Sequence, residues 1–258
     1  MADDHLRSSI PSHHLGGGIG DQLKKELFRL LMNTSHFLRN FPFFQDLEED
    51  DLDKLSPLFL TRTYEKGTDV FREGEPGDEL YIIQSGIVKI YRDDGVRDVI
   101  LAIFRDDDFF GEMALLENEQ VRSASAQTLE KTTLYVLKRR DFVSLVYQNP
   151  MISLRILQTA LDRLRKTNEM TMDLTMRDAR TRIVKMLLRL TDKHGIFQKT
   201  GVLIDLKLTH QQIADMTGTV RETVTKVLLE LQNQQVILVK KKKIYICNLA
   251  EFERLVEA

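Results

Sequence analysis

The sequence predicts an α+β protein. An antiparallel β-roll or jelly roll comes first, then a long helix built to pair with a second copy, then a C-terminal winged helix-turn-helix. Three observations carry this expectation. Short strand-like segments recur between Phe59 and Leu137 with turn residues between them; from Arg140 to Met176 the period becomes helical; and the final stretch reads helix, turn, helix, hairpin. Charge divides along the same line: from Asp178 to Ala258 there are 14 Lys+Arg against 9 Asp+Glu, and before it 23 against 30. An acidic front and a basic back imply two modules with different partners, the back half suiting nucleic acid.

A chain of 258 residues corresponds to one large or two ordinary domains, and with 42% hydrophobic and 29% charged residues it can bury a core. Neither a membrane span nor a signal-peptide apolar stretch is visible. The single cysteine, Cys247, excludes a disulfide framework, a zinc ribbon and a cysteine-ligated cluster, and points to a reducing cytoplasm. The organisation expected is a flexible tail over 1–20, the β-roll domain over 21–149, a dimerisation helix with its hinge over 150–177, and the winged helix-turn-helix over 178–258.

The tail holds Ser8, Ser9, Pro11 and Gly16–Gly18 without an apolar period; His13-His14 reads as part of this flexible tail, with a fragment of a metal-binding tract as the competing reading. Helical spacing follows over Asp21–Phe44 and again over Leu47–Leu58. Strands are expected at Phe59–Tyr64, Thr68–Phe71, Glu79–Gln84, Ile87–Tyr91, Val99–Phe104, Ala124–Thr128 and Thr132–Leu137, with no long helix among them, which argues for a roll or barrel. After Pro150, Leu157, Leu161 and Leu164 recur in steps of four and three, and Asn168, Thr171 and Thr175 continue the stripe. This is an a/d seam that starts apolar and ends polar, suited to a homodimer. Ile152, Leu154 and Ile156 are left to pack on the chain's own barrel.

Chemistry concentrates in two places. Phe109-Phe110-Gly111-Glu112-Met113-Ala114-Leu115-Leu116 passes from a strand end into a short helix, and Arg122-Ser123-Ala124 follows at a fixed interval. A glycine before a helical turn lets backbone amides approach an anion. Arg122 can fork onto phosphate oxygens, Ser123 can add a hydrogen bond, and Glu112, which would repel phosphate, suits a sugar hydroxyl. The set describes a sugar carrying a phosphate; the competing reading is a structural Glu112–Arg122 pair in a roll without ligand. In the basic half, Thr209 caps a helix over His210–Met216, Gly218 turns the chain, and Val220–Leu231 forms a second helix with Val220, Val224, Val227 and Leu231 buried; Ala214 allows a close crossing. Thr209, His210 and Gln211, with Arg221, Glu222, Thr223, Thr225 and Lys226 on the second helix, form the expected DNA-contacting set. Arg221 suits guanine, Glu222 cytosine, and Lys241 and Lys242 at the hairpin tip suit phosphates. No metal spacing, nucleophile–base arrangement or nucleotide-hydrolase loop is visible, so an enzyme is not expected; Asp106–Asp108 and Glu48–Asp51 read as solvated loops.

Phe110-Gly111-Glu112 with Arg122-Ser123-Ala124 resembles the phosphate-binding cassette of cyclic-nucleotide-binding barrels. From about Phe37 onward the chain resembles bacterial transcription regulators of the cyclic-AMP receptor protein (CRP/FNR) family. That resemblance implies cyclic AMP or a similar small effector, no obligatory cofactor, a palindromic double-stranded operator, a homodimer and contact with RNA polymerase. It also implies that Thr167 meets the base from its own subunit and Asn168 from the partner. The family carries Arg-Glu…Arg on its recognition helix, so Arg221 and Glu222 match while Lys226 departs, leaving open whether it reads a base or holds a phosphate. Two other readings stay open: the same architecture with a different effector or none, and a regulatory module of an enzyme or channel.

Overall fold

The computed structural model describes residues 34, 37–39, 41, 44, 45, 47–116, 120–199 and 201–257, and it divides after Phe59 into two units. The tail over 1–20 and most of the helix expected over Asp21–Phe44 lie outside the described residues. In the first unit, Phe37, Phe41, Phe44 and Phe59 form a relay of ring contacts with centroids 6.0, 5.5 and 6.1 Å apart. Helix α1 (Glu49–Leu55) runs into a 3₁₀ turn (Ser56–Leu58), together filling the helix expected over Leu47–Leu58.

The second unit begins with β1 (Leu60–Tyr64), β2 (Asp69–Phe71), β3 (Glu79–Ser85), β4 (Val88–Asp93), β5 (Asp98–Phe104), β6 (Phe109–Phe110), α2 (Met113–Leu116), β7 (Ser125–Thr128) and β8 (Thr132–Lys138). Two four-stranded sheets, ordered β1-β8-β3-β6 and β2-β7-β4-β5, pair antiparallel throughout. Tyr81, Val88, Phe104, Phe110, Ala126 and Leu134 share the core between them. All seven expected strands form. The eighth, β6, is two residues long and too short to show a period.

Helix α3 (Arg139–Gln148) leads to α4 (Pro150–Met176). The break falls at Asn149, because Pro150 lacks an N–H and disfavours helical geometry in the residue before it. Ile152 and Ile156 are buried as expected, but Leu154 is 45% exposed, a correction: two residues on from Ile152, it points to another side of the helix.

Next come α5 (Ala179–His194), β9 (Gly195–Gln198), β10 (Gly201–Ile204), α6 (His210–Thr217), α7 (Arg221–Asn233), β11 (Ile237–Lys240), β12 (Lys243–Ile246) and α8 (Leu249–Glu257). The last four strands form an antiparallel sheet ordered β11-β12-β10-β9. β9 and α8 were not expected from the sequence. Val224, Val227 and Leu231 are buried, whereas Val220, expected among them, is 55% exposed. It precedes the first helical residue in an extended conformation, and so falls outside the helix's buried stripe.

Candidate functional site

Strand β6 delivers the chain to Gly111, whose φ of +86° is costly for any residue with a side chain; a Cβ there would stand 2.7 Å from Arg122 Nη1. The space serves the Arg122 guanidinium, which is 4% exposed. Its Nη1 donates to the Gly111 carbonyl at 2.8 Å and its Nη2 to the Glu79 carbonyl at 2.9 Å. Nε is buried with no hydrogen-bond partner. Phe71 lies over the group, ring centroid to guanidinium carbon 4.2 Å, and Tyr81 stands at 5.6 Å. Burial lowers the Arg122 pKa, yet arginine keeps its charge near neutrality. Among the described residues no carboxylate pairs with it. Its hydrogen-bond acceptors are neutral carbonyls, and Glu79, Asp78 and Glu112 support its charge only from a distance, so the site favours a further anion.

Glu79 anchors the far side of this arrangement. Arg62 forks onto its carboxylate with two bonds of 2.7 Å, Lys138 approaches to 2.6 Å and Tyr81 donates its hydroxyl at 2.7 Å. Burial alone would raise the Glu79 pKa, but these bonds outweigh it and hold the carboxyl at about 2.

Glu112 does not pair with Arg122. It accepts from Arg163 Nη1 at 2.8 Å, while Nη2 of the same arginine donates to the Phe109 carbonyl at 2.5 Å. Phe109, Glu112, Met113, Leu116, Ile156, Thr159, Ala160 and Arg163 line a half-open cleft of about 220 Å³. Ser123 is exposed, its hydroxyl 3.6 Å from the Met113 sulfur. Thr167 and Asn168 are exposed, and Thr167 spends its hydroxyl on the Arg163 carbonyl at 2.9 Å. The structure thus brings Gly111 to Arg122 and Glu112 to Arg163, but leaves Thr167 and Asn168 outside the cleft lining. Arg163 was missed in the sequence. Its signal was available, since Ile152, Ile156, Thr159 and Arg163 share one face of α4 at helical spacing. Glu79 and Phe71 had no comparable local mark.

Along α4, Leu157, Leu161 and Leu164 are 54%, 51% and 56% exposed, an unbroken apolar stripe in this single chain. Thr171 and Thr175 each return a hydroxyl bond to the carbonyl four residues back. Near the helix end, Asp173 is buried and holds Lys185 at 2.5 Å and Arg189 at 2.7 Å, fixing α5 against α4.

Thr209 caps α6 in a reciprocal box with Gln212, and Gly218 closes the helix in the left-handed conformation at φ +61°. His210 Nδ1 lies 2.8 Å from Thr225 Oγ1, which itself donates to the Arg221 carbonyl, so the imidazole serves as donor and ties α6 to α7. Gln211 donates to Asp215. Arg221, Glu222, Thr225 and Lys226 are exposed on α7, and Thr223 is half-buried. Lys241 and Lys242 form the hairpin tip with φ +51° and +64°, in a turn where glycine and asparagine are at home.

Among the described residues no helix is long and apolar enough to cross a membrane, and no group of His, Cys, Asp and Glu could hold a metal ion. Asp108 of the acidic run at 106–108 is not a purely solvated residue: it pairs with Lys193 at 2.7 Å.

Residues 61–149 match the cyclic nucleotide-binding domain and residues 181–255 the Crp-like helix-turn-helix domain. The CRP-like cAMP-activated global transcriptional regulator of Mycobacterium tuberculosis is 34% identical over 82% of this chain and 93% of its own length. The cyclic AMP receptor protein of Thermus thermophilus is 32% identical over 78% of this chain and 89% of its own. Among solved structures, the c-di-GMP-responsive global regulator CLP of Xanthomonas campestris superposes with a TM-score of 0.65 at 26% identity, covering 78% of this chain and all of that one. The relatives are transcription regulators, not enzymes.

Proposed function

Because the chain belongs to the CRP/FNR family of transcription regulators, with a cyclic-nucleotide-binding domain ahead of a helix-turn-helix, we propose that it works as a cytoplasmic homodimer gated by cyclic AMP. The observation that carries this reading is Arg122, a buried guanidinium held by two carbonyls, with its Nε free and no carboxylate partner among the described residues. A cyclic phosphate supplies the missing anion. The exposed stripe of Leu157, Leu161 and Leu164 supports pairing of α4 with a second copy, which brings a partner's Asn168 and Thr171 to the seam. Paired helices of this kind set two α7 helices about 34 Å apart on a palindrome, with Arg221, Glu222 and Lys226 toward the bases and Lys241 and Lys242 toward phosphates. Contact with RNA polymerase, and activation through it, belong to the same proposal.

One observation favours a second effector. Phe71 covers the Arg122 guanidinium, so a ligand has to displace or stack on that ring, and another anionic nucleotide is the competing occupant. The test is calorimetry with cyclic AMP, cyclic GMP and cyclic di-GMP on the wild type and on Arg122→Leu, with sedimentation of both proteins. Cyclic AMP should bind the wild-type dimer, and Arg122→Leu should weaken it at least ~30-fold, as expected when a charge-assisted hydrogen bond is removed. Equal affinity in both proteins refutes the phosphate role, and a monomeric wild type refutes the seam.

A further inference from the structure

The barrel and the helix-turn-helix half share one interface, and its charges converge on a single ring. Ile100 and Ile103 of β5, the edge strand of its sheet, are buried in the same apolar cluster as Ile183, Leu187 and Ile213 of the winged-helix half. At the rim, Lys193 from the last turn of α5 pairs with Asp108 at 2.7 Å and stands 4.9 Å from the Phe104 centroid. The same ring carries Arg163 at 4.6 Å, and Arg163 is the residue that closes the effector cleft by holding Glu112. Phe104 is 9% exposed and therefore fixed in place by its packing.

We propose that Phe104 couples the effector cleft to the DNA-binding half, with Lys193–Asp108 as the latch that seats α5 on the barrel. This rests on the effector reading above. The sign follows from the charges. While Glu112 holds Arg163, that guanidinium is neutralised and Lys193 shares the ring at little cost. An effector hydroxyl that donates to Glu112 competes with Arg163 for that carboxylate, and loosening the pair weakens the compensation of Arg163 beside Lys193. Burial foremost, and then Lys166 and Arg163, already oppose the Lys193 charge, which Asp108, the Ile103 carbonyl and the Phe104 ring support. The latch then loosens, and the winged-helix half is free to move to the position DNA requires. Effector and DNA become linked through one element that both bias.

The experiment measures DNA affinity with and without cyclic AMP for the wild type, Lys193→Gln and Lys193→Arg, and follows amide exchange over residues 100–104 in effector-free protein. Lys193 is half-buried, so both variants should fold. Lys193→Gln should bind DNA about tenfold more tightly without effector, lose a similar factor of stimulation, and exchange faster over 100–104. Lys193→Arg, which keeps the cation, should behave as wild type. Unchanged effector-free affinity and unchanged exchange in Lys193→Gln overturn the latch. If cyclic AMP leaves wild-type DNA binding unaltered, the effector reading fails. The effector-free affinity and the exchange of Lys193→Gln still decide the latch on their own.

Discussion

In the helix-turn-helix, Arg221, Glu222, Thr225 and Lys226 face water, and apart from the His210–Thr225 link their surroundings are set by partners a few residues away. Thr209 caps with Gln212, and Thr225 bonds the carbonyl of Arg221. In the β-roll, Arg122, the arginine proposed to hold the effector, is walled in, and its partners come from 11 and 43 positions distant. The first site is a local pattern that folding has only to expose. The second exists only once two strands, a loop and an arginine have met, so its geometry depends on the whole roll. Substitutions should therefore separate the two: in the roll they cost stability and binding together, and on the recognition helix they cost binding alone.

The largest effect is expected at Gly111. Alanine there meets a left-handed backbone, worth about 1–2 kcal/mol, and crowds the Arg122 guanidinium, worth about 1–3 kcal/mol more. Gly111→Ala should lower unfolding stability by about 3 kcal/mol in urea and weaken effector binding in the same protein. Wild-type stability in that variant would mean the guanidinium is not confined as described.

Acid should separate the halves by pH rather than by size. In the winged-helix half, burial foremost, and then the charges of Lys193 and Arg105, push the His194 imidazole down to about 4, against the partial support of Asp108 and Asp205. The unfolded chain takes up that proton near 6.5 while the folded chain refuses it, so stability falls as pH drops from about 6.5 to about 4, by at most about 1.4 kcal/mol per pH unit. Glu79 in the roll behaves differently: its folded value of about 2 against an ordinary 4.5 gives stability that is present above 4.5 and lost as pH falls toward 2. His194→Gln should flatten the upper window and leave the lower one. Urea midpoints measured from pH 7.5 to 3 check this, and an unchanged slope between 6.5 and 4 in the variant would assign that window elsewhere.

The same contrast explains what could be read in advance. The strands, the break at Pro150, the cap at Thr209 and the turn at Gly218 were legible because each is fixed by residues within a few positions. Gly111 and Arg122 were legible as a spaced motif, but their surroundings were not. Whether Glu112 would meet Arg122 or Arg163 depends on where α4 crosses the barrel, and no residue near Glu112 encodes that. Phe71, Tyr81 and Glu79 close around Arg122 through pairings of β2 with β7 and of β3 with β6 and β8. Val220 and Leu154 were misplaced for a smaller reason: Val220 stands just before the helix begins, and Leu154 is two residues from Ile152 and so on another side of its helix.

The smallest effects lie where the second half meets DNA, and they sharpen the comparison most because folding can be held constant. Arg221 is exposed at the start of α7, where its fork can meet guanine, an interaction worth about 1–3 kcal/mol of base discrimination. Arg221→Ala should flatten preference at one base pair of each half-site and leave stability unchanged. Lys241 and Lys242 occupy a hairpin tip at positive φ, so replacing them with Asn and Gly suits the turn better and should raise stability slightly. Any fall in DNA affinity in that double variant is then charge and not misfolding. It should weigh equally on specific and scrambled DNA and make the salt dependence shallower by up to about one unit for each phosphate no longer neutralised. A salt series on a selected palindrome and on scrambled DNA reads both variants. If the lysine replacement erases sequence preference while Arg221→Ala keeps it, the tip reads bases and the helix only holds the backbone, the reverse of the roles assigned.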